Sequence, residues 1–121
     1  MKDIENRADL DLLMGAFYSE LLRDPAVNYV FTDVARINLT AHLPLIVDFW
    51  EQMLFNTHTY KSNVFEIHKN LHLKSALEKD HFSTWLNHLN RTTDSHFQGE
   101  KAEKVKTSAL SIVTIMQLKL R

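Results

Sequence analysis

Apolar residues recur every three or four positions along much of this chain, which is the spacing of one face of an α-helix. The first stripe of this kind consists of Leu10, Leu13, Met14, Phe17 and Leu21. Its helix should end near Asp24 and Pro25, because a proline ring disfavours helical geometry in the residue before it. Residues 26–31 are then expected to form a short second helix.

A second long helix is predicted where apolar and aromatic residues return with the same period. Its stripe consists of Leu39, His42, Ile46, Phe49, Trp50 and Met53. A start near Ala41 places Pro44 in the first turn, where backbone N–H groups have no helical partner and proline is tolerated. Residues 56–62 are expected to form a loop, and a short helical face follows it. That face consists of Phe65, His68, Leu71 and His72.

Two further long helices are predicted towards the end of the sequence. The first should run for about five turns and end near Gly99, with a stripe of Phe82, Trp85, Leu86 and Leu89. The stripe of the second consists of Val105, Ala109, Ile112, Val113, Met116 and Leu120. The chain has only two glycines and two prolines, which leaves few tight turns and argues against a many-stranded sheet. The sequence therefore predicts an all-α fold.

Length and composition exclude several functional classes. The 121 residues are expected to form a single domain, 1–121, and an apolar fraction of 45% is ordinary for a soluble globular protein. Interspersed charges with a net charge of −1 give no reason to expect a nucleic acid or a membrane as partner. The absence of cysteine excludes disulfides, thiolate metal sites and thiol nucleophiles. The acidic N-terminal residues do not resemble a signal peptide, so we expect the cytoplasm as location.

Two histidines occupy positions where the pattern predicts apolar residues. His42 and His68 each lie on an apolar stripe, and aromatic residues surround both in the sequence. An apolar pocket with one imidazole on each side is what a haem requires. By itself, His68 is equally consistent with a neutral core residue that is hydrogen-bonded to a backbone carbonyl. His42 by itself is more typical of a satisfied core histidine than of one that faces a ligand. His68 and His72, spaced i and i+4, also allow a zinc site if His42 or His81 converges on them.

The other histidines lie in more polar surroundings. His58, His81, His88 and His96 are therefore expected to be solvated rather than functional. Tyr18 follows Phe17 and should lie at the edge of the apolar face, where its hydroxyl needs a polar partner.

Two segments of the sequence are distinctive: residues 42–50, HLPLIVDFW, and residues 81–86, HFSTWL. Together with the spacing from Tyr60 to His68, they resemble the truncated haemoglobins, and group III most closely. The similarity runs from about Leu10 to Met116. Group III proteins commonly carry a glycine shortly after the position of Tyr60, whereas this chain has residues 61–63, KSN. This difference affects only the expected shape of the loop.

The resemblance implies a two-over-two helical sandwich around haem b. His68 would be the proximal iron ligand, preferred over His72 because of the Tyr60 spacing, and His42 would lie on the distal side. Tyr18 and Trp85 would point hydroxyl and indole donors at a bound ligand. The implied haem-contacting residues are Phe31, His42, Ile46, Trp50, Phe65, His68 and Trp85. Candidates for binding the propionates, by position, are Arg36, Tyr60, Lys61 and Lys69.

The function implied by the resemblance is reversible binding of dioxygen and other diatomic ligands, CO and NO, by a monomer. Oxidation of nitric oxide and reaction with peroxide are two catalytic hypotheses, and both need electrons from an unidentified reductase. The alternative from another class is a cofactor-free helical interaction domain whose aromatic residues only fill a core.

Overall fold

All regular secondary structure described here is helical, which confirms the all-α prediction. The computed structural model describes residues 1–30, 39–56, 77 and 79–119, and no strand occurs in these ranges. The long helices in them are α1 (Arg7–Leu21), α2 (Leu39–Phe55), α3 (Lys79–His96) and α4 (Glu100–Lys119). None of the helices in these ranges is long and apolar enough to cross a lipid bilayer.

Helix α1 begins with two reciprocal side-chain caps and ends where the sequence predicts. The Asn6 side chain accepts a hydrogen bond from the backbone N–H of Asp9 (3.0 Å), and the Asp9 carboxylate accepts one from the N–H of Glu5 (2.8 Å). These bonds satisfy backbone donors that have no partner inside a helix. Helix α1 ends at Leu21, four residues before Pro25. All five residues of its predicted apolar stripe are buried.

The predicted start of α2 is wrong, because the chain is already helical at Leu39 and Pro44 lies inside the helix. Proline in a helix interior lacks the N–H for the usual backbone bond. Contacts with α1 hold the helix at this point. Arg7 donates through Nη2 to the Pro44 carbonyl (3.4 Å) and through Nη1 to Asp48 (2.7 Å) and Glu51 (3.1 Å). The two carboxylates and the carbonyl therefore fix α2 against the start of α1.

The segment after α1 forms turns before it becomes helical. The Asp24 carboxylate accepts a hydrogen bond from the N–H of Ala26 (2.9 Å), and residues 25–27 are turn residues. Helical geometry is present at residues 28–30, so the helix predicted for 26–31 starts two residues later. At the other end of α2, Asn56 has a φ of 57°, a left-handed conformation that asparagine tolerates better than most residues and that ends the helix.

The core lies where α1 packs on α2 and α3, and where α4 packs on α2 and α3. Helix α3 spans the predicted five turns, and the predicted stripe of α4 is buried or half-buried as far as Met116. Leu120 lies outside the described residues. The main cluster joins side chains from all four helices.

The N-terminal segment is bound to the start of α4 by Asp3. Its carboxylate accepts hydrogen bonds from the backbone N–H groups of Lys101 and Ala102, both at 2.9 Å, and from Ile4 at 2.8 Å. Partial burial opposes ionisation of Asp3, but the three N–H donors outweigh it and lower the pKa of this carboxyl. Gly99, with a φ of 142°, leaves room for this contact, since a Cβ there would lie 2.6 Å from the Asp3 Cγ.

Replacing Asp3 by alanine should lower the free energy of unfolding by about 0.5–2 kcal/mol, the usual cost of losing a helix cap. Gly99→Ala should lower the free energy of unfolding more in the wild-type protein than in the Asp3→Ala variant, because both substitutions remove the same contact. Urea denaturation of the double-mutant cycle measures this coupling. The control is Asp11→Ala, which removes an exposed carboxylate from α1.

The effect of Asp3→Ala should also depend on pH in one direction. A carboxyl whose pKa is lower in the folded state stabilises the fold above its unfolded pKa of about 3.9 and loses this effect as the pH falls through its folded pKa. The difference between wild type and Asp3→Ala should therefore be full at neutral pH and shrink in acid. Two results would contradict the assignment of Asp3 as the cap of α4. One is that the effects of the two substitutions on the free energy of unfolding add up, and the other is that the difference between wild type and Asp3→Ala grows in acid.

Candidate functional site

Tyr18 and His42, which the sequence predicts to share a site, face each other across α1 and α2. Tyr18 lies in the last turn of α1 with 5% of its surface exposed. His42 is half-buried near the start of α2. Their ring centroids are 5.7 Å apart with the rings nearly perpendicular, at 83°. The last turn of α1 and the first turns of α2 therefore bring a phenol and an imidazole together.

Phe17 connects this pair to Trp85 on α3. The Phe17 ring lies 5.1 Å from that of Tyr18 and 5.7 Å from that of Trp85, in edge-to-face arrangements. Neighbouring residues of an α-helix point about 100° apart, so Phe17 can contact α3 while Tyr18 contacts α2. Trp85 is half-buried and packs against the same core cluster. Its indole therefore belongs to the same aromatic group as the phenol and the imidazole.

Ile46 and Trp50 continue the face of α2 that begins at His42. They follow at intervals of four residues, which places all three side chains along one side of the helix. Trp50 is buried and packs edge to face on Phe49 with centroids 5.3 Å apart, while Ile46 is half-buried. The face of α2 that begins at His42 is therefore apolar at the next two positions of the same side, Ile46 and Trp50.

Burial extends the pH range over which the Tyr18 phenol stays protonated. Desolvation raises the pKa of its phenol well above the usual value, because the charged phenolate would be removed from water. The phenol therefore stays protonated throughout the physiological range and can act as a hydrogen-bond donor. With the Trp85 indole N–H and the His42 imidazole, the described part of the site contains three polar groups on aromatic rings.

Three of the predicted site residues lie outside the described residues: Phe31, Phe65 and His68. The alternative ligand His72 and the four candidates for propionate binding, Arg36, Tyr60, Lys61 and Lys69, also lie there, as does His58. Among the described residues, no group of three histidine or carboxylate side chains is arranged to hold a metal ion.

Two histidines that the sequence suggests are solvated have specific partners. His88 has 13% of its side chain exposed, and its Nε2 lies 2.7 Å from the Asp24 carboxylate. This hydrogen bond, with a second from the N–H of Ala26, lowers the pKa of Asp24. The Nε2 of His81 lies 2.6 Å from the Tyr29 hydroxyl. The prediction of a solvated side chain was wrong for His88, because its partner is 64 residues away in sequence and beyond the reach of a local pattern. The partner of His81, 52 residues away, was equally unpredictable from such a pattern.

His96 agrees with its prediction. It is exposed at the end of α3, and its Nδ1 lies 3.0 Å from the carbonyl of Thr92 one turn earlier. This contact lies within one helix and joins no other element to it.

An alkaline titration should show that Tyr18 is protected. The difference in phenolate absorbance between wild type and Tyr18→Phe isolates this side chain, and it should rise only at a pH well above 10, the value for free tyrosine. Above about pH 10 the unfolded state loses the Tyr18 proton while the folded state keeps it, so stability should fall as the pH rises. This alkaline loss should be smaller in Tyr18→Phe.

The same titration in concentrated urea is the control, since an unfolded chain should ionise all its tyrosines near pH 10. A Tyr18 signal that rises near pH 10 in the folded protein would show that the phenol is not buried.

No protein-family model matches the chain, and no protein of curated function matches it in sequence. Among solved structures, the chain is similar to the crystal structure of a group III truncated haemoglobin from Campylobacter jejuni, with a TM-score of 0.87 and 20% sequence identity. The alignment covers 100% of this chain and 96% of that protein. The chain therefore has the globin-like fold of a group III truncated haemoglobin.

Proposed function

We propose that this chain is a group III truncated haemoglobin that binds diatomic ligands at a haem held by His68. The observation that carries the proposal is the buried phenol of Tyr18 in edge-to-face contact with the imidazole of His42. The structural similarity to a truncated haemoglobin over the whole chain supports it.

The described residues fit a haem on chemical grounds. A planar apolar group needs apolar walls, which Ile46 and Trp50 offer, and a ligand bound to it needs hydrogen-bond donors. Filling a core requires no hydroxyl at position 18, because a phenylalanine such as Phe17 fills space without a buried polar atom. The phenol places a protonated hydrogen-bond donor beside the His42 imidazole.

Some of the proposed haem-binding roles belong to residues outside the ranges that the structure describes. His68 would hold the haem iron, and Phe31 and Phe65 would pack against the haem. When bound, the haem, here haem b, would supply an iron centre that binds O2, CO or NO. Tyr18, His42 and Trp85 would donate hydrogen bonds to the bound ligand.

The donors determine how fast a ligand leaves. A hydrogen bond to a charged or partly charged acceptor contributes about 1.5–3 kcal/mol, which slows release by roughly 10- to 150-fold for each donor. Two or three such donors would make the protein a poor carrier and suit it to sequestration or to chemistry on the bound ligand. Oxidation of nitric oxide and reaction with peroxide, both with electrons from a separate donor, are two chemistries of this kind.

The absorption spectrum tests the haem and its ligand together. Wild-type protein, reconstituted with haem where needed, should show a strong Soret band and the CO spectrum of a histidine-ligated haem. His68→Gly should lose or alter that spectrum, because the iron loses its protein ligand. His72→Gly is the matched control, one turn away in sequence, and should keep it.

Two results would contradict this assignment in different ways. Loss of the spectrum in His72→Gly but not in His68→Gly would move the iron ligand to His72. A wild-type protein that folds and forms no stable haem complex would favour the cofactor-free helical domain instead.

Replacing Tyr18 by phenylalanine should speed dioxygen release about tenfold or more, because the phenol donor is lost while the ring remains. Stopped-flow displacement of dioxygen by CO measures the rate. Ser19→Ala is the control, since it removes an exposed hydroxyl from the next position of α1. An unchanged rate in Tyr18→Phe would exclude Tyr18 as a donor to the ligand.

A further inference from the structure

A second tyrosine and histidine form a close pair at the protein surface. The hydroxyl oxygen of Tyr29 lies 2.6 Å from Nε2 of His81, and the ring centroids are 5.6 Å apart at an angle of 67°. Tyr29 follows α1 and has 37% of its surface exposed, whereas His81 lies in the first turn of α3. This pair plays no part in the ligand site proposed above.

The pair is linked to that site through α3. His81 and Trp85 are four residues apart on the same helix, so their side chains lie one turn apart on one face. The Trp85 ring contacts Phe17 at 5.7 Å, and Phe17 contacts Tyr18 at 5.1 Å. An aromatic series therefore runs from the candidate site to an exposed tyrosine.

The side chains of this series are suited to carry electrons. Phenol and indole are among the most easily oxidised groups in proteins, and electron transfer through protein falls steeply with distance. Trp85 is an oxidisable group of the candidate site itself, and it lies one helical turn from His81, the partner of Tyr29. The chain contains no cysteine that could compete as a donor.

We propose that Tyr29 is the surface electron donor of this protein, with His81 as its proton acceptor, and that small phenolic reductants are oxidised there when hydrogen peroxide is reduced at the candidate site. This inference rests on the proposed haem function. It assigns to Tyr29 and His81 a role that ligand binding does not require.

The proton has to leave with the electron. A phenol that loses only an electron becomes a strongly acidic radical cation, whereas loss of both particles gives a neutral tyrosyl radical. The His81 Nε2, at 2.6 Å from the hydroxyl, accepts that proton along an existing hydrogen bond. A proton transfer to a positioned side chain of this kind typically accelerates a reaction by about 100-fold or more.

The overall reaction balances with a phenolic donor in solution. Hydrogen peroxide takes two electrons and two protons, its O–O bond breaks, and two water molecules leave. Tyr29 gives one electron at a time through Trp85, and its protons pass through His81 to solvent. After each step the tyrosyl radical takes one hydrogen atom from a phenol, so each peroxide oxidises two phenols to phenoxyl radicals.

Exposure explains why the reaction with the donor takes place at Tyr29. Tyr18 has 5% of its surface exposed, so a phenolic donor in solution cannot reach its ring. Tyr29 has 37% exposed and offers its ring at the surface. A donor can therefore react there without entering the ligand site.

Freeze-quenched electron paramagnetic resonance of the haem-loaded protein after hydrogen peroxide tests the inference directly. Wild type should give a tyrosyl radical that is absent in Tyr29→Phe. In His81→Phe, which keeps an aromatic ring but removes the acceptor, the radical should form about 100-fold more slowly and lose its solvent deuterium effect. His96→Phe, which alters an exposed histidine at the other end of α3, should leave radical formation unchanged.

Turnover with hydroquinone provides a second measurement. Tyr29→Phe should oxidise hydroquinone more slowly than wild type at the same peroxide concentration. The Soret band and the CO spectrum of each variant report whether the protein is folded and loaded, so a slow variant with normal spectra has lost the surface donor alone.

The outcomes separate this inference from the proposed function. A loaded wild type whose radical persists unchanged in Tyr29→Phe, or forms at the same rate in His81→Phe, overturns the inference and leaves ligand binding intact. A wild type that binds no haem overturns both.

Discussion

The contacts of Phe17 and Tyr18 hold the candidate site together. Because the two residues are adjacent on α1, their side chains point about 100° apart, and the helix can pack on two neighbours at once. Phe17 contacts Trp85 of α3, and Tyr18 contacts His42 of α2. Both contacts require one rotational setting of α1 about its axis. The caps at Asn6 and the ion pairs of Arg7 with α2 help to hold that setting.

The apolar pattern predicts the helices well because it records which side of each helix is buried. The residues of the α1 stripe are all in the core, and α3 ends within three residues of the predicted Gly99. Pro44 was misplaced because sequence rules describe a helix in isolation. The hydrogen bond from Arg7 to its carbonyl depends on another helix, 37 residues away, and no local rule contains it.

The apolar pattern also predicted which residues of the candidate site lie together in the described ranges. It did not predict the surface pair of Tyr29 and His81. Tyr18, His42, Trp50 and Trp85 lie on or beside apolar stripes, so their convergence follows from packing those stripes together. Tyr29 and His81 lie at the ends of separate elements, where the sequence gives no periodicity to follow. The fold match at 20% identity agrees with this picture, since the positions of buried residues constrain a fold more than their identities do.

The contact of Asp3 with α4 has a kinetic consequence. Its partners Lys101 and Ala102 are 98 and 99 residues away, whereas the helices consist of contacts within a few residues. Closing so long a loop costs more entropy than forming local contacts, so we expect this contact to form after the local helices. An interaction that is absent from the transition state for folding slows unfolding without speeding folding. We therefore expect Asp3 to act on the lifetime of the native state more than on the rate at which the chain reaches it.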